Sequence, residues 1–319
     1  MTVQNTRSGR IDAILAQELQ LPRNQIEKLI KNIGISIDGK PSHKSSQKLL
    51  GGELITYEFQ DAIKQEIKYA VDFDIEILYE DDDVLVINKP PFLTVHPAAS
   101  VKEVTVVDWL IQKGISLSTI SGEERHGIVH RIDKETSGAL IVAKNNEAHI
   151  HLAQQLEDKS MGRYYLALID LPLKEDCVVD KPIGRSPHNR LKMAVVPNAR
   201  ASKSAFVKLA QSTKSSYELI GAKLFSGRTH QIRVHLNSLS RHILGDSLYG
   251  FKSQKDTISR VMLHASVLYF YHPRTQKFIQ VQAPLFEDFE ALLEKHFEKE
   301  SLHEKIDSEH ICEYFTTLY

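Results

Sequence analysis

Short apolar runs return repeatedly between residues 84 and 273: VLVIN, ALIVAKN, YYLALID, KMAVVP, YELIGAKL and VLYFYHP. Each has the length of a strand and is bounded by turn-forming residues, such as the acidic EDDD before VLVIN and Pro90-Pro91 after it. They are too many and too short for repeated strand–helix–strand units. The pattern predicts an α+β domain over residues 73–290, built on a mixed, largely antiparallel sheet. Near its end, LFEDFEALLEKHF places Phe286, Phe289, Leu293 and Phe297 on one helical face. Residues 291–319 are left as an acidic C-terminal extension, and residues 59–72, mixed and weakly periodic, as a linker.

Residues 10–58 read as a small separate module. RIDAILAQEL puts Ile11, Ile14, Leu15 and Leu19 on one face of a helix. RNQIEKLIKNIG does the same with Ile26, Leu29, Ile30 and Ile33, and Gly34 is placed to cap it. ISIDGKP predicts a strand entering an Asp-Gly turn, and ELITYEF a closing strand. Arg10, Arg23, Lys28, Lys31 and Lys40 are interleaved with polar residues, and charge pattern alone makes them a solvated face. The order helix, helix, GISIDGK, KLLGGELI resembles the RNA-binding module shared with ribosomal protein S-four. That resemblance makes the five basic residues expected RNA contacts. Pro22 departs from it, standing where the module usually caps its second helix with serine, and Gly52 interrupts the usual Gly-Asp pairing.

Net charge bears on a nucleic-acid partner only when divided along the chain. Residues 285–319 hold ten acids and three lysines, a balance of −7, while the preceding 284 residues carry 37 basic and 31 acidic side chains, or +6. A mildly basic body with an acidic tail permits RNA binding. Cys177 and Cys312 form no CxxC pair, which argues for a reducing compartment and against cysteine-ligated zinc. No apolar run approaches the roughly 18 residues of a membrane helix, and MTVQNTRSGR lacks the apolar core of a secretion signal. The expectation is a cytoplasmic protein with no membrane partner.

Polar positions between the apolar runs concentrate in two places, HRIDKETSG (130–138) and FSGRTHQIRVHL (225–236), both read as loops. Asp133 among basic neighbours is, taken alone, a surface ion pair of little energetic weight. Spacing does not rank it above Glu135. His126 and His130 sit in a segment of strand character with no third ligand, so no metal is expected. His230 and His235 flank QIRV and read as structural or phosphate-facing. There is no GxxxxGK[ST] loop, strand-linked GxGxxG or GxSxG elbow, so no cofactor is expected.

The motifs become specific in combination. EDDDVLVINKPPFLTVHP, HRIDKETSG with ALIVAKN, GRTHQIRVHL and ILGDSLYG, in that order from about Tyr79 to Ala283, resemble the pseudouridine synthases of the RluA type. The resemblance implies an enzyme that breaks the N-glycosidic bond of selected uridines and rejoins ribose to carbon 5 of uracil. It implies Asp133 as the essential carboxylate, acting either as nucleophile or as base on the ribose. It further implies Arg233 as the cation that holds Asp133 ionised and Tyr165 as the active-site tyrosine, with Tyr164 adjacent. Arg131 would hold the flipped-out nucleotide or fill its place, and Arg228, His130 and Thr136 would complete the substrate-binding set. HRID for HRLD, Phe92 where glycine is common, HPAAS without the usual glycines, and ARASKS in place of a Gly-Lys pattern depart from the family. Large-subunit ribosomal RNA is the substrate class implied, with transfer RNA second, and a monomer is expected. A non-catalytic RNA-binding protein would not need Asp133, Arg233 and Tyr165 together, and a glycosidase would need a second carboxylate at a defined distance.

Overall fold

The computed structural model describes residues 2–19, 23–58, 70–98, 101–120, 126–251, 258–298, 302 and 305–316. Pro22, Ser100 and most of the expected linker lie outside these residues, as does the Lys28 side chain.

Two helices and a four-stranded sheet form the N-terminal part: β1 (Thr2–Gln4), β2 (Gly9–Arg10), α1 (Ile11–Glu18), α2 (Arg23–Asn32), β3 (Ile35–Ile37), β4 (Lys40–Ser42), β5 (Lys48–Leu49) and β6 (Leu54–Tyr57). The sheet order is β1-β6-β3-β4, and β2 pairs with β5 as a separate ribbon. Gly34 takes φ +87°, the left-handed conformation that ends a helix. Ile11, Leu15, Ile26, Ile30 and Ile55 are fully buried between helices and sheet, each contributing about 1.5–3 kcal/mol. Ile120 and Ile150 from the following domain join this core, so the two parts share apolar contacts.

The second domain contributes β7 (Ile77–Glu80), β8 (Val84–Lys89), α3 (Val106–Gln112), β9 (Ser137–Ala143), α4 (Asn146–Asp158), β10 (Gly162–Ile169), β11 (Cys177–Asp180), β12 (Ile183–Arg185), β13 (Met193–Val195), β14 (Lys203–Gln211), β15 (Glu218–Leu224), α5 (Gln231–Ser238), β16 (Leu263–Tyr271), β17 (Phe278–Gln282), α6 (Glu287–His296) and α7 (Ser308–Tyr314). Nine strands form one sheet in the order β11-β14-β15-β10-β16-β9-β8-β7. β17 pairs with the far half of β16 while β9 pairs with its start. Every pairing is antiparallel except that of β9 with β16. This is the mixed, largely antiparallel sheet of the expected α+β class.

Side-chain alternation divides the sheet's two faces. Val84, Val86, Ala139 and Ile141 pack with Ala148 and Leu152 of α4, whereas Leu85, Ile87, Leu140 and Val142 pack with Trp109 and Leu110 of α3. A strand buried on both faces reads as an unbroken apolar run, which is why VLVIN and ALIV stand out in the sequence. KMAVVP yields only the three-residue β13, paired with β12 outside the main sheet.

Three segments differ from the sequence reading. FSGRTHQIRVHL is not all loop, because its second half is helix α5. Residues 126–130 form no strand, and Ile128 makes only an isolated bridge to Val142. The boundary expected at 290 falls inside α6. Phe289, Leu293, Phe297, Leu302, Ile311 and Phe315 all enter the main core, while Glu287, Glu290 and Glu294 stay on the exposed side of α6.

Where β9 meets β16, Gly138 has φ +108°, and a Cβ there would lie 2.3 Å from the Ala265 carbonyl oxygen. Both space and backbone demand glycine. Gly138→Ala is therefore expected to destabilise the protein by at least about 1–3 kcal/mol, read as a lower denaturant midpoint. An unchanged midpoint would show that the close strand approach is dispensable.

Candidate active site

Asp133 lies in the loop that delivers the chain into β9, and 100 residues later Arg233 projects from the first turn of α5. The fold brings them into contact. Arg233 Nη1 donates to Asp133 Oδ2 at 3.1 Å, while Nε and Nη2 donate to the two carboxylate oxygens of Asp246 at 2.7 and 2.9 Å. One guanidinium thus bridges a buried carboxylate and a partly open one, with side-chain exposures of 1% for Asp246 and 19% for Asp133. A bidentate clamp fixes the plane of the guanidinium, and the remaining N–H then fixes where Asp133 can sit. Burial pulls the Arg233 pKa down, but the hydrogen bonds and charges of the two carboxylates outweigh it and raise it.

Tyr249 lines the other side. The Arg233 guanidinium stacks 5.0 Å from its ring centroid. Its hydroxyl accepts from the Met193 amide at 2.9 Å and lies 2.9 Å from His230 Nδ1. The other ring nitrogen, Nε2, lies 3.9 Å from Asp133 Oδ2. Burial lowers the His230 pKa against the opposing pull of Asp133, which keeps the ring neutral near pH 7. His230 holds a left-handed φ of +57°, unusual for a residue other than glycine and found where geometry is over-determined.

Tyr165 sits on β10, nearly buried. Burial raises its pKa, Arg163 opposes that rise, and Asp133 adds to it. Among the described residues its hydroxyl has no hydrogen-bond partner. Tyr164 faces the other way, its ring 5.1 Å from Phe315, so alternation along the strand selects Tyr165.

The acids 133 and 135, level in the sequence, separate here. Glu135 accepts the Val261 amide through its carboxylate at 3.0 Å and so ties two loops together. Asp133 is the one that faces Arg233. The Thr136 amide donates to the Asp133 carbonyl at 3.1 Å and closes the turn, while the Thr136 side chain is buried. Lys89, at the end of β8, is fully buried and donates to the carbonyls of Pro90, Leu93 and Lys134 at 2.7, 2.9 and 3.1 Å. Burial brings its pKa down to about 7, against the pull of Asp133. It anchors the Asp133 loop to the PPFL loop, where Phe92 has φ +65°, the conformation for which glycine is the usual choice.

Of the other expected substrate contacts, Arg131 is exposed and its charge reaches His230. Arg228 donates to the Ala201 carbonyl at 3.2 Å, which ties the ARASKS segment to the site. His130 is buried against β9, where the Ile141 amide approaches Nε2 at 3.4 Å, and burial lowers its pKa well below the ordinary value. Thr136 and His130 therefore support the loop from beneath and do not reach its open side. In the N-terminal module, Arg10 and Arg23 both pair with the buried Asp12, at 2.6 and 3.1 Å, with their other ends half exposed. Lys31 and Lys40 are exposed.

Asp246, Tyr249 and Lys89 were not singled out by sequence reasoning, although ILGDSLYG and NKPP contain them. An Asp three residues before a Tyr in a glycine-bounded turn is the signal that was present. Elsewhere, oxygen and nitrogen atoms of Asp81, Asp83 and His272 lie within 4.8 Å of one another. They are engaged with Tyr79, Arg274, Asn145 and backbone amides, a self-satisfied turn.

Comparison with known proteins supplies the family. Residues 83–238 match the family model described as RNA pseudouridylate synthase. An RNA pseudouridine synthase of Helicobacter pylori is 46% identical over 318 residues, covering 97% of both chains. The ribosomal large subunit pseudouridine synthase D of Nitrosomonas europaea is 37% identical over 303 residues, 92% of this chain and 86% of its own. The structure of human RNA pseudouridylate synthase domain containing 1 superimposes with a TM-score of 0.56 at 26% identity, over 68% of this chain and 87% of that one. The chain belongs to the RNA pseudouridine synthases. It is an RNA-modifying isomerase that converts uridine to pseudouridine.

Proposed function

We infer that the protein isomerises uridines of large-subunit ribosomal RNA, with Asp133, Arg233 and Tyr165 as its catalytic residues. The observation that carries the site assignment is the contact between Asp133 and Arg233, with the guanidinium pinned from behind by Asp246. The reaction breaks the N1–C1′ bond, forms C5–C1′, and moves a proton from carbon 5 to N1. A carboxylate at the sugar is suited to act either as nucleophile or as base, and the open edge of Asp133 is available for either role. Tyr165 presents a ring for stacking on the base and an uncommitted hydroxyl near carbon 5. A uridine in a helix must be extruded, at a cost of a few kcal/mol. Exposed Arg131 beside the site is placed to offset that cost through phosphate or stacking contacts.

The ribosomal substrate is supported by the relatives from Nitrosomonas europaea and Neisseria meningitidis whose names state it, the latter 36% identical over 89% of this chain. Among the described residues no helix is long and apolar enough to cross a membrane, and the reading places the enzyme in the cytoplasm as a monomer. Mapping pseudouridines in ribosomal and transfer RNA of a deletion strain tests the substrate. Loss at one or more large-subunit sites, restored by the native gene, is expected. Loss confined to transfer RNA would replace this substrate with the other.

The same reading makes the N-terminal module an RNA contact of the type shared with ribosomal protein S-four. Of the basic residues expected to meet RNA, Lys31 and Lys40 are exposed, whereas Arg10 and Arg23 divide their charge with Asp12. Substituting Lys31 and Lys40 by Glu should weaken binding to that RNA and flatten its salt dependence by about one per lost phosphate contact. An unchanged slope would remove the module's lysines from the interface.

A further inference from the structure

Arg163 is the least explained charge in the molecule. It is 92% buried by its 8% relative exposure, and among the described residues its guanidinium has neither an ion pair nor a hydrogen bond. Its Nε is fully enclosed and unsatisfied. The other buried arginines are paired: Arg233 with Asp246 and Asp133, and Arg260 with Asp288. A buried guanidinium without a counter-ion is costly unless a partner arrives from outside.

The surroundings indicate what that partner is. Arg163 borders a cavity of about 190 Å³ that is also lined by Lys159, Lys223, Phe225 and Tyr269 and, among the described residues, by no acidic side chain. Lys223 Nζ lies 5.1 Å from the Tyr164 ring centroid and 5.4 Å from that of Phe225. The guanidinium nitrogens lie 3.6 Å from where a Cβ on Gly227 would stand, so they abut the loop that leads into Arg228 and His230. Arg163 also precedes Tyr165 by two residues on β10. Both side chains therefore share a sheet face about 7 Å apart, and the Arg163 charge acts on Tyr165 and His130 alike.

We propose that Arg163, with Lys159 at the rim, forms an anion subsite that receives a backbone phosphate of the RNA beside the nucleotide held at Tyr165. The site is cationic, partly enclosed and continuous with the active-site strand. Arginine meets a phosphate with two parallel N–H donors, and the ligand supplies the counter-charge missing among the described residues. The proposal rests on RNA being the substrate but does not depend on which RNA is modified.

Inorganic phosphate and RNA, each tested against the full-length protein, separate the local chemistry from the macromolecule. Phosphorus NMR of millimolar inorganic phosphate should show line broadening with the native protein and about tenfold weaker binding with Arg163→Gln, while Arg163→Lys retains part of it. With ribosomal RNA from the deletion strain, Arg163→Gln should raise KM more than it lowers kcat and reduce the salt slope of binding by about 0.7–1. Because the arginine has no counter-ion among the described residues, Arg163→Met should melt no lower than the native chain. Phosphate binding that persists in Arg163→Gln overturns the subsite, as does an unchanged salt slope. A large fall in melting temperature with phosphate binding intact would make Arg163 structural and also overturn it. Failure of the native protein to modify that RNA would count against the ribosomal substrate alone, because the phosphate arm is read without it.

Discussion

Asp133→Asn in the full-length protein is expected to fold normally and to form no measurable pseudouridine, a loss of at least about 10³-fold. The substitution keeps shape and leaves an oxygen to accept from Arg233 Nη1, the 3.1 Å contact. It removes the charge that both nucleophile and base roles require. Stability should change little, since Arg233 retains its bidentate partner Asp246 and no buried charge is left uncompensated. Glu135→Gln is the matched control. Glu135 binds the Val261 amide, an acceptor role that a glutamine oxygen can keep, so activity should stay within a few-fold of native. Activity of Asp133→Asn within tenfold of native would take the reaction away from this carboxylate.

That pair of variants addresses the one question the sequence left open about its most specific motif. HRIDKETSG carries two acids at i and i+2, and no pattern argument tells which faces a partner 100 residues away. Long-range contact decides it: Glu135 reaches Val261 and Asp133 reaches Arg233. The sheet was legible where strands are buried on both faces, because β8, β9 and β10 then become continuous apolar runs. β14 was missed because its buried face includes Ser204 and its ends carry Lys203 and Gln211. α5 was missed because it begins at a left-handed His230 with no side-chain cap, and QIRV mixes apolar and basic residues without a clear stripe. Arg233 and Tyr165 were placed by motif match, and the structure shows what spacing could not: the buried acid behind the first and the opposite orientation of Tyr164 beside the second. Tail chemistry misled for a physical reason. A helix that packs Phe289 and Leu293 inward turns Glu287, Glu290 and Glu294 outward, and charge counting sees only the outer face.

The largest stability effect is expected from Asp246. Removing it by Asp246→Ala leaves Arg233, at 8% exposure, with Asp133 as its remaining carboxylate among the described residues and takes away the acceptors of Nε and Nη2. Breaking a buried pair from one side costs about 3–5 kcal/mol, which for a domain of this size lowers Tm by about 6–20 °C. Activity should fall further than stability explains, because the freed guanidinium no longer holds Asp133 in one position and the ring of Tyr249 loses its stacked cation. Asp246→Asn keeps one acceptor and should fall between the two. The decisive comparison is the double variant Arg233→Met with Asp246→Leu. Taking out both charges removes the desolvation cost along with the attraction, so the double variant should melt above Asp246→Ala while remaining inactive. If the two losses simply add, Asp246 contributes to the fold independently of Arg233 and the bridge is not the element that positions Asp133. If the double variant regains activity along with stability, the guanidinium is dispensable to the reaction and its place at the carboxylate is structural.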